Sequence, residues 1–133
     1  MFREQPQAFV ALPEDPDNEA LRAVIVQTLH DADVRPGWPE DPSRPEGSAQ
    51  QSIREADFVI ADVTGANPKV MIEVGMALGM GKRVLLMSRE RTSRLPFDLA
   101  SQQVAVYQRD DVDSVRRYLE LWLRDAMAER VRP

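Results

Sequence analysis

Two carboxylates stand out by what surrounds them. Glu73 lies in "NPKVMIEVGMALGMG" (67–81), which after its Asn-Pro-Lys start is otherwise Val, Met, Ile, Ala, Leu and Gly. Asp62 sits near the end of the apolar run "DFVIADV" (57–63). A carboxylate is costly to bury without a partner, so Glu73 either pairs or faces a wet pocket. Facing a pocket, its use is to meet positive charge that develops on a ligand. Cleavage of a glycosidic C–N bond is such a case: the sugar carbon becomes oxocarbenium-like, and a carboxylate stabilises or traps it. Between the two acids, "TGANP" (64–68) reads as a tight turn with Pro68 near the first helical position. Backbone N–H groups at Asn67, Lys69 and Val70 are expected to point into the same crevice, where they could hold an anion. Two plainer readings compete. Glu73 could lie on an exposed helix edge paired with Lys69, and Asp62 could cap the turn that follows it.

The elements that must position these residues alternate along the chain. "QAFVALP" (7–13) reads as a first strand, and "LPEDPD" (12–17) as turn chemistry with Asp17 as N-cap. Glu19 to Ala32 carries a helical stripe of Leu21, Ala23, Val24, Ile25, Thr28 and Leu29. The proline-rich stretch 33–48 admits no helix and reads as a long loop with a brief strand near Val34. A short helix (48–56), a strand (57–63), a loop (64–68), a helix (69–80) stopped by Gly81, and a strand (82–88) follow. "RERTSRLPFD" is a loop, 103–108 a fifth strand, and Asp110 to Arg130 an amphipathic helix with Val112, Val115, Leu119, Trp122 and Ala126 on one face. The inner strands are apolar throughout, which means a parallel sheet covered on both faces. The expected architecture is one α/β domain over 1–133, flavodoxin-like (Rossmann-like), with five parallel strands in the order 2-1-3-4-5. Ligands then bind at the carboxyl ends of the strands, near Leu12, Asp62 and Ser88.

Composition excludes several chemistries. The chain has 133 residues, no Cys and one His, which removes disulfides, thiolate nucleophiles, zinc–thiolate sites and any multi-histidine metal site within one chain. A net charge of −5 argues against a nucleic-acid polymer as partner. No apolar run approaches the roughly 18 residues of a membrane span, and the polar start lacks a signal-peptide core, so a cytoplasmic protein is expected. Gly75 and Gly79 read as close packing points, Met71, Met76 and Met80 as core filler, and His30 as a residue favoured by a helix C-terminus. Trp38 reads as a loop anchor or as a lid that stacks on a base.

The segment "EADFVIADVTGANPKVMIEVGMALGMGKRVLLM" (55–87), with "FVALP" before it, resembles the core of the nucleoside 2-deoxyribosyltransferase superfamily. "LPFDLASQQVAVY" (95–107) is similar to the Pro-Phe-Asp-Leu segment of a bacterial branch with a fold like Toll/interleukin-receptor (TIR) domains. The resemblance implies that Glu73 acts at the sugar C1′. It implies that Asp62 matches the strand-end acid of the related deoxynucleoside-monophosphate hydrolases, and that Asn67 to Lys69 hold phosphate or hydroxyls. It also implies homodimers or larger assemblies, with contacts from helix 110–130 and the face around Met76 and Met80. Two features depart from the pattern. The first loop, "LPEDPDNEA" (12–20), is acidic where those hydrolases are Gly-Ser-rich, and Ala49 stands where they carry an aspartate. Both count against efficient monophosphate hydrolysis.

The reading is an N-glycosidic hydrolase or base-exchanging transferase for a nucleoside or nucleotide, with no metal or cofactor. Glu73 and Asp62 are the catalytic candidates. Phe9, Leu12, Trp38, Thr64, Asn67, Lys69, Met76, Ser88, Phe97 and Asp98 are the candidate substrate contacts. The alternative is a non-catalytic nucleotide-sensing or TIR-like interaction module.

Overall fold

The computed structural model describes residues 5–38, 48–89 and 103–131. Five strands form one parallel sheet: β1 (Gln7–Ala11), β2 (Arg35–Gly37), β3 (Phe58–Asp62), β4 (Arg83–Ser88) and β5 (Val104–Val106), in the order β2-β1-β3-β4-β5. The expected α/β architecture and strand order are therefore observed. The register is continuous: Ala8 pairs with Phe58, Phe58 with Arg83 and Leu86 with Val104. β1 and β3 are buried along nearly their whole length, as strands covered on both faces must be. β2 is a short edge strand, which is why it tolerates Pro36.

Among the described residues, four helices cover the sheet. α1 (Glu19–Asp31) and α4 (Asp113–Val131) lie on one face; α2 (Ser48–Glu55) and α3 (Pro68–Gly79) lie on the other. The first face buries Ala8, Val10, Phe58, Ile60, Leu85 and Met87 under Leu21, Ile25, Leu29, Val115, Leu119 and Leu123. Phe58 meets Trp122 edge to face, with ring centroids 5.8 Å apart. The second face buries Phe9, Ala11, Val59, Ala61 and Leu86 under Ile53, Val70, Val74 and Ala77.

Local chemistry sets the helix ends. A 3-10 turn (Pro16–Asn18) leads into α1, and its cap is Asp15, whose side chain accepts from the Asp17 amide. The expected cap, Asp17, is thus the donor of that bond. α1 is closed two residues past its end by Asp33, a non-glycine residue with φ 57 in the left-handed region. α3 ends in a Schellman motif: Gly81, at φ 72, donates to the Leu78 carbonyl and Lys82 to that of Ala77. The Lys82 ammonium also donates to the carbonyls of Arg54 and Ala56, tying the end of α2 to the start of β4. No helix among the described residues is long and apolar enough to cross a membrane.

The core under α4 should dominate stability. Leu119 is fully buried, and Leu119→Ala is expected to cost about 2–5 kcal/mol in chemical denaturation. Leu121, 47% exposed on the same helix, should cost less than about 0.5 kcal/mol when changed to Ala.

Candidate functional site

Glu73 is placed by the turn that joins β3 to α3. Thr64–Ala66 forms a 3-10 turn in which Gly65 (φ 70) and Ala66 (φ 50) both adopt the left-handed region. Glycine accepts that conformation freely; alanine adopts it at a cost and is held there by the turn. Asn67 follows as N-cap, its side-chain oxygen accepting from the Val70 amide at 3.2 Å, and Pro68 opens the helix. From that start the helical repeat turns Val70, Glu73, Val74 and Ala77 inward. Glu73 is only 3% exposed. Glu73 therefore does not lie on an exposed edge, and the Lys69 ammonium reaches Glu14 at 3.5 Å. One expectation needs correction: the Val70 amide is already taken by Asn67, so it is not an open anion donor.

Asp62 is fully buried and more tightly held than the sequence indicates. Its Oδ1 accepts from the Thr64 amide at 2.9 Å and from the Thr64 hydroxyl. Its Oδ2 accepts from the Tyr107 hydroxyl at 2.6 Å. The Thr64 oxygen in turn accepts from the Arg89 amide at 3.0 Å, and the Tyr107 amide donates to the Ser88 carbonyl. These bonds lace together the carboxyl ends of β3, β4 and β5. The turn-cap reading of Asp62 accounts for the bond to the Thr64 amide. Tyr107 was missed as a partner, because it lies 45 positions away. The available signal was a tyrosine just past a short apolar strand, whose hydroxyl must find an acceptor once the ring is buried.

Strand alternation separates the two acids. Phe58, Ile60 and Asp62 point toward α1 and α4, where Tyr107 packs; Val59, Ala61 and Val63 point toward α3. Asp62 and Glu73 therefore approach the rim from opposite faces of the sheet. The expectation of one crevice flanked by both acids is corrected accordingly.

The acidic first loop is also different from its composition. Its acids pair with cations from three other segments at the same rim: Glu14 with Lys69, Asp15 with Arg89 at 4.0 Å, and Asp17 with Arg109. Within the loop, the Asn18 side chain donates to the Pro13 carbonyl. The loop is a locally balanced strap. Exposed pairs of this kind contribute at most about 1 kcal/mol each, so they set placement more than stability.

The remaining candidates divide by face. Phe9, fully buried, and Met76, half-buried, pack on the side of Glu73, as does Ala49 in the first turn of α2. Leu12 packs on the other side. So does Trp38, whose ring lies under the Arg22 guanidinium at 4.6 Å; the ring is an anchor on the α1 layer rather than a lid over Glu73. Ser88 is buried at the end of β4. Phe97 and Asp98 lie outside the described residues. Among the described residues no cluster of His, Cys, Asp and Glu could hold a metal ion.

Against known proteins, no family model matches the chain. The 5-hydroxymethyl-dUMP N-hydrolase of Mus musculus is 26% identical over 121 residues, covering 83% of this chain and 70% of that protein. A CMP N-glycosidase of Clostridium botulinum has the same fold, with a TM-score of 0.65, 19% identity, and coverage of 86% of this chain and 98% of the other. So does a 2-deoxyribosyltransferase of Bacillus psychrosaccharolyticus, at TM-score 0.59 and 19% identity, over 80% of this chain and 90% of that one. The TIR domain of a Toll-related receptor from Hydra magnipapillata is similar at TM-score 0.64 and 14% identity, covering 90% and 97%.

Burial pushes the Tyr107 phenol well above its usual range, helped by the hydrogen bond to Asp62 and by its charge; Thr64 and Arg89 act weakly in the other direction. A phenol that holds its proton more tightly folded than unfolded adds stability that is full below the unfolded-chain value of about 10 and lost as pH rises past it. In Tyr118→Phe, which leaves Tyr107 as the sole tyrosine, tyrosinate absorbance should appear only together with unfolding. Absorbance at pH 10 from a chain still folded by circular dichroism would contradict this.

Proposed function

We propose, on the support these likenesses lend to the nucleoside 2-deoxyribosyltransferase superfamily, that the chain cleaves the N-glycosidic bond of a nucleoside or nucleotide. The relatives' names denote a nucleotide N-hydrolase, an N-glycosidase and a deoxyribosyltransferase. The observation that carries the reading is Glu73: a carboxylate on the inward stripe of an apolar helix that begins at the carboxyl rim of a parallel sheet. That rim is where such sheets bind ligands.

In this reading a Glu73 oxygen meets C1′ as the C1′–N bond breaks. The bonding pair leaves with the base, which gains a proton from solvent. Water or a second base then attacks C1′ and restores the carboxylate. Asp62, closed in by Thr64 and Tyr107, acts by fixing the turn rather than by touching sugar. Lys69 and the main chain near Asn67 face hydroxyls or phosphate. A second copy of the chain would lie on the outward side of α3, where Ile72 is 64% exposed, or along Tyr118 and Leu121 of α4.

A nucleotide-sensing module is the second reading, favoured by Ala49, an apolar residue beside Glu73's layer where related hydrolases hold an acid. Purified protein incubated with nucleosides, their 5′-monophosphates and NAD should release free base, measured by chromatography. Glu73→Gln should lower that release about 100-fold or more while leaving the melting temperature near that of the parent. Release unchanged in the variant removes Glu73 from the reaction. Calorimetric binding without turnover by the parent over hours would favour the sensing module.

A further inference from the structure

We infer that Tyr107 is a positioning residue for Glu73, acting from the opposite face of the sheet through Asp62 and the Thr64 turn. The inference rests on the glycosidic reading for its kinetic consequence, though not for its structural one. Tyr107 is 3% exposed, and its ring packs in the same apolar cluster as Leu12 and Met87. Phenylalanine would fill nearly the same volume there without a polar atom to satisfy, so packing alone does not require the hydroxyl.

What the hydroxyl does is complete the shell of a fully buried carboxylate. Asp62 Oδ2 receives it at 2.6 Å, while Oδ1 is held by the Thr64 amide and hydroxyl. Without that donor, Asp62 is left short of a partner in an apolar interior and must shift toward water or toward another donor. Either response loosens Thr64. Thr64 is the first residue of the turn whose left-handed Gly65 and Ala66 aim the chain at the Asn67 cap. It also receives the Arg89 amide at the end of β4. The start of α3, and with it the depth and rotation of Glu73, is thus referenced to β5. Tyr107 lies on the face away from α3, so it sets geometry without touching the ligand.

The test is Tyr107→Phe, with exposed Tyr118→Phe as control. In Tyr107→Phe, amide hydrogen exchange at Thr64, Val70 and Arg89 should quicken roughly tenfold or more, the size of a lost hydrogen bond to a charged group. Exchange at Val59 and Ile60 in the strand centre should stay within about twofold. Thr64→Val, which removes the opposite hydroxyl, should give the same local pattern. With a substrate that turns over, kcat of Tyr107→Phe should fall roughly tenfold while KM stays within about twofold, because the phenol makes no ligand contact. The effect of Tyr107→Phe should shrink in an Asp62→Asn background, where no buried charge needs the donor.

Unchanged exchange at Thr64 and Val70, or a uniform rise that includes Ile60, overturns the inference whatever the kinetics. Local loosening with full kcat also overturns it. If the parent turns over nothing while local loosening and the non-additivity with Asp62 both appear, the glycosidic reading falls and the anchoring of α3 by Tyr107 stands.

Discussion

The structure depends on keeping carboxylates inside an apolar sandwich at the point where the strands end. Asp62 shows how that is done. It is fully buried, yet one oxygen meets an amide and a hydroxyl two residues on, and the other meets a phenol two strands away. Charge-assisted bonds of this kind are strong enough to offset the desolvation that an unpartnered carboxylate would suffer. Because the donors come from the turn just after β3 and the residue just after β5, and Thr64 also receives the Arg89 amide just past β4, satisfying the carboxylate ties three strand ends together. A hydrophobic residue at position 62 would pack, and it would leave the turn toward α3 without its reference point.

The two acids consequently have different standing. Asp62 is fully buried, its two oxygens held by Thr64 and Tyr107. Glu73 belongs to a helix whose inward stripe is otherwise Val70, Val74 and Ala77, and that helix begins at the rim through an asparagine cap and a proline. Opposite faces of one sheet carry them, so they are coupled through the turn rather than across a shared cleft. The two acids thus sit in different surroundings, a separation that a motif of two carboxylates does not reveal by itself.

Much of the fold was legible because it rests on local rules. The apolar stretches 58–61 and 84–87 require a sheet covered on both faces, and alternation with helical stripes then yields the order 2-1-3-4-5. Asn67-Pro68 and Gly81 mark the limits of α3 because capping and left-handed closure are chemistry of single residues. What escaped was long-range. Nothing near Asp62 in the chain announces Tyr107, and nothing near Trp38 announces Arg22 on α1. The face on which Asp62 lies was in principle readable, since Phe58, Ile60 and Asp62 share one parity. That alternation, and not the loop and helix that follow, decides the face.

The first loop carries the same lesson into electrostatics. Counted along the chain, Glu14, Asp15 and Asp17 make a repulsive wall for any phosphate. In space each faces a cation delivered by the turn into α3, the end of β4 or the segment after β5. The rim is therefore a set of short dipoles rather than a patch of one sign, and their fields cancel within about a Debye length of 8–10 Å. A phosphorylated ligand arriving there must exchange partners with carboxylates already in place; an uncharged sugar need not. What the ion pairs fix is the local balance of charge at the rim, since Lys69, Arg89 and Arg109 each already face a carboxylate. The net charge of −5 is a total over the chain and says nothing of that local balance.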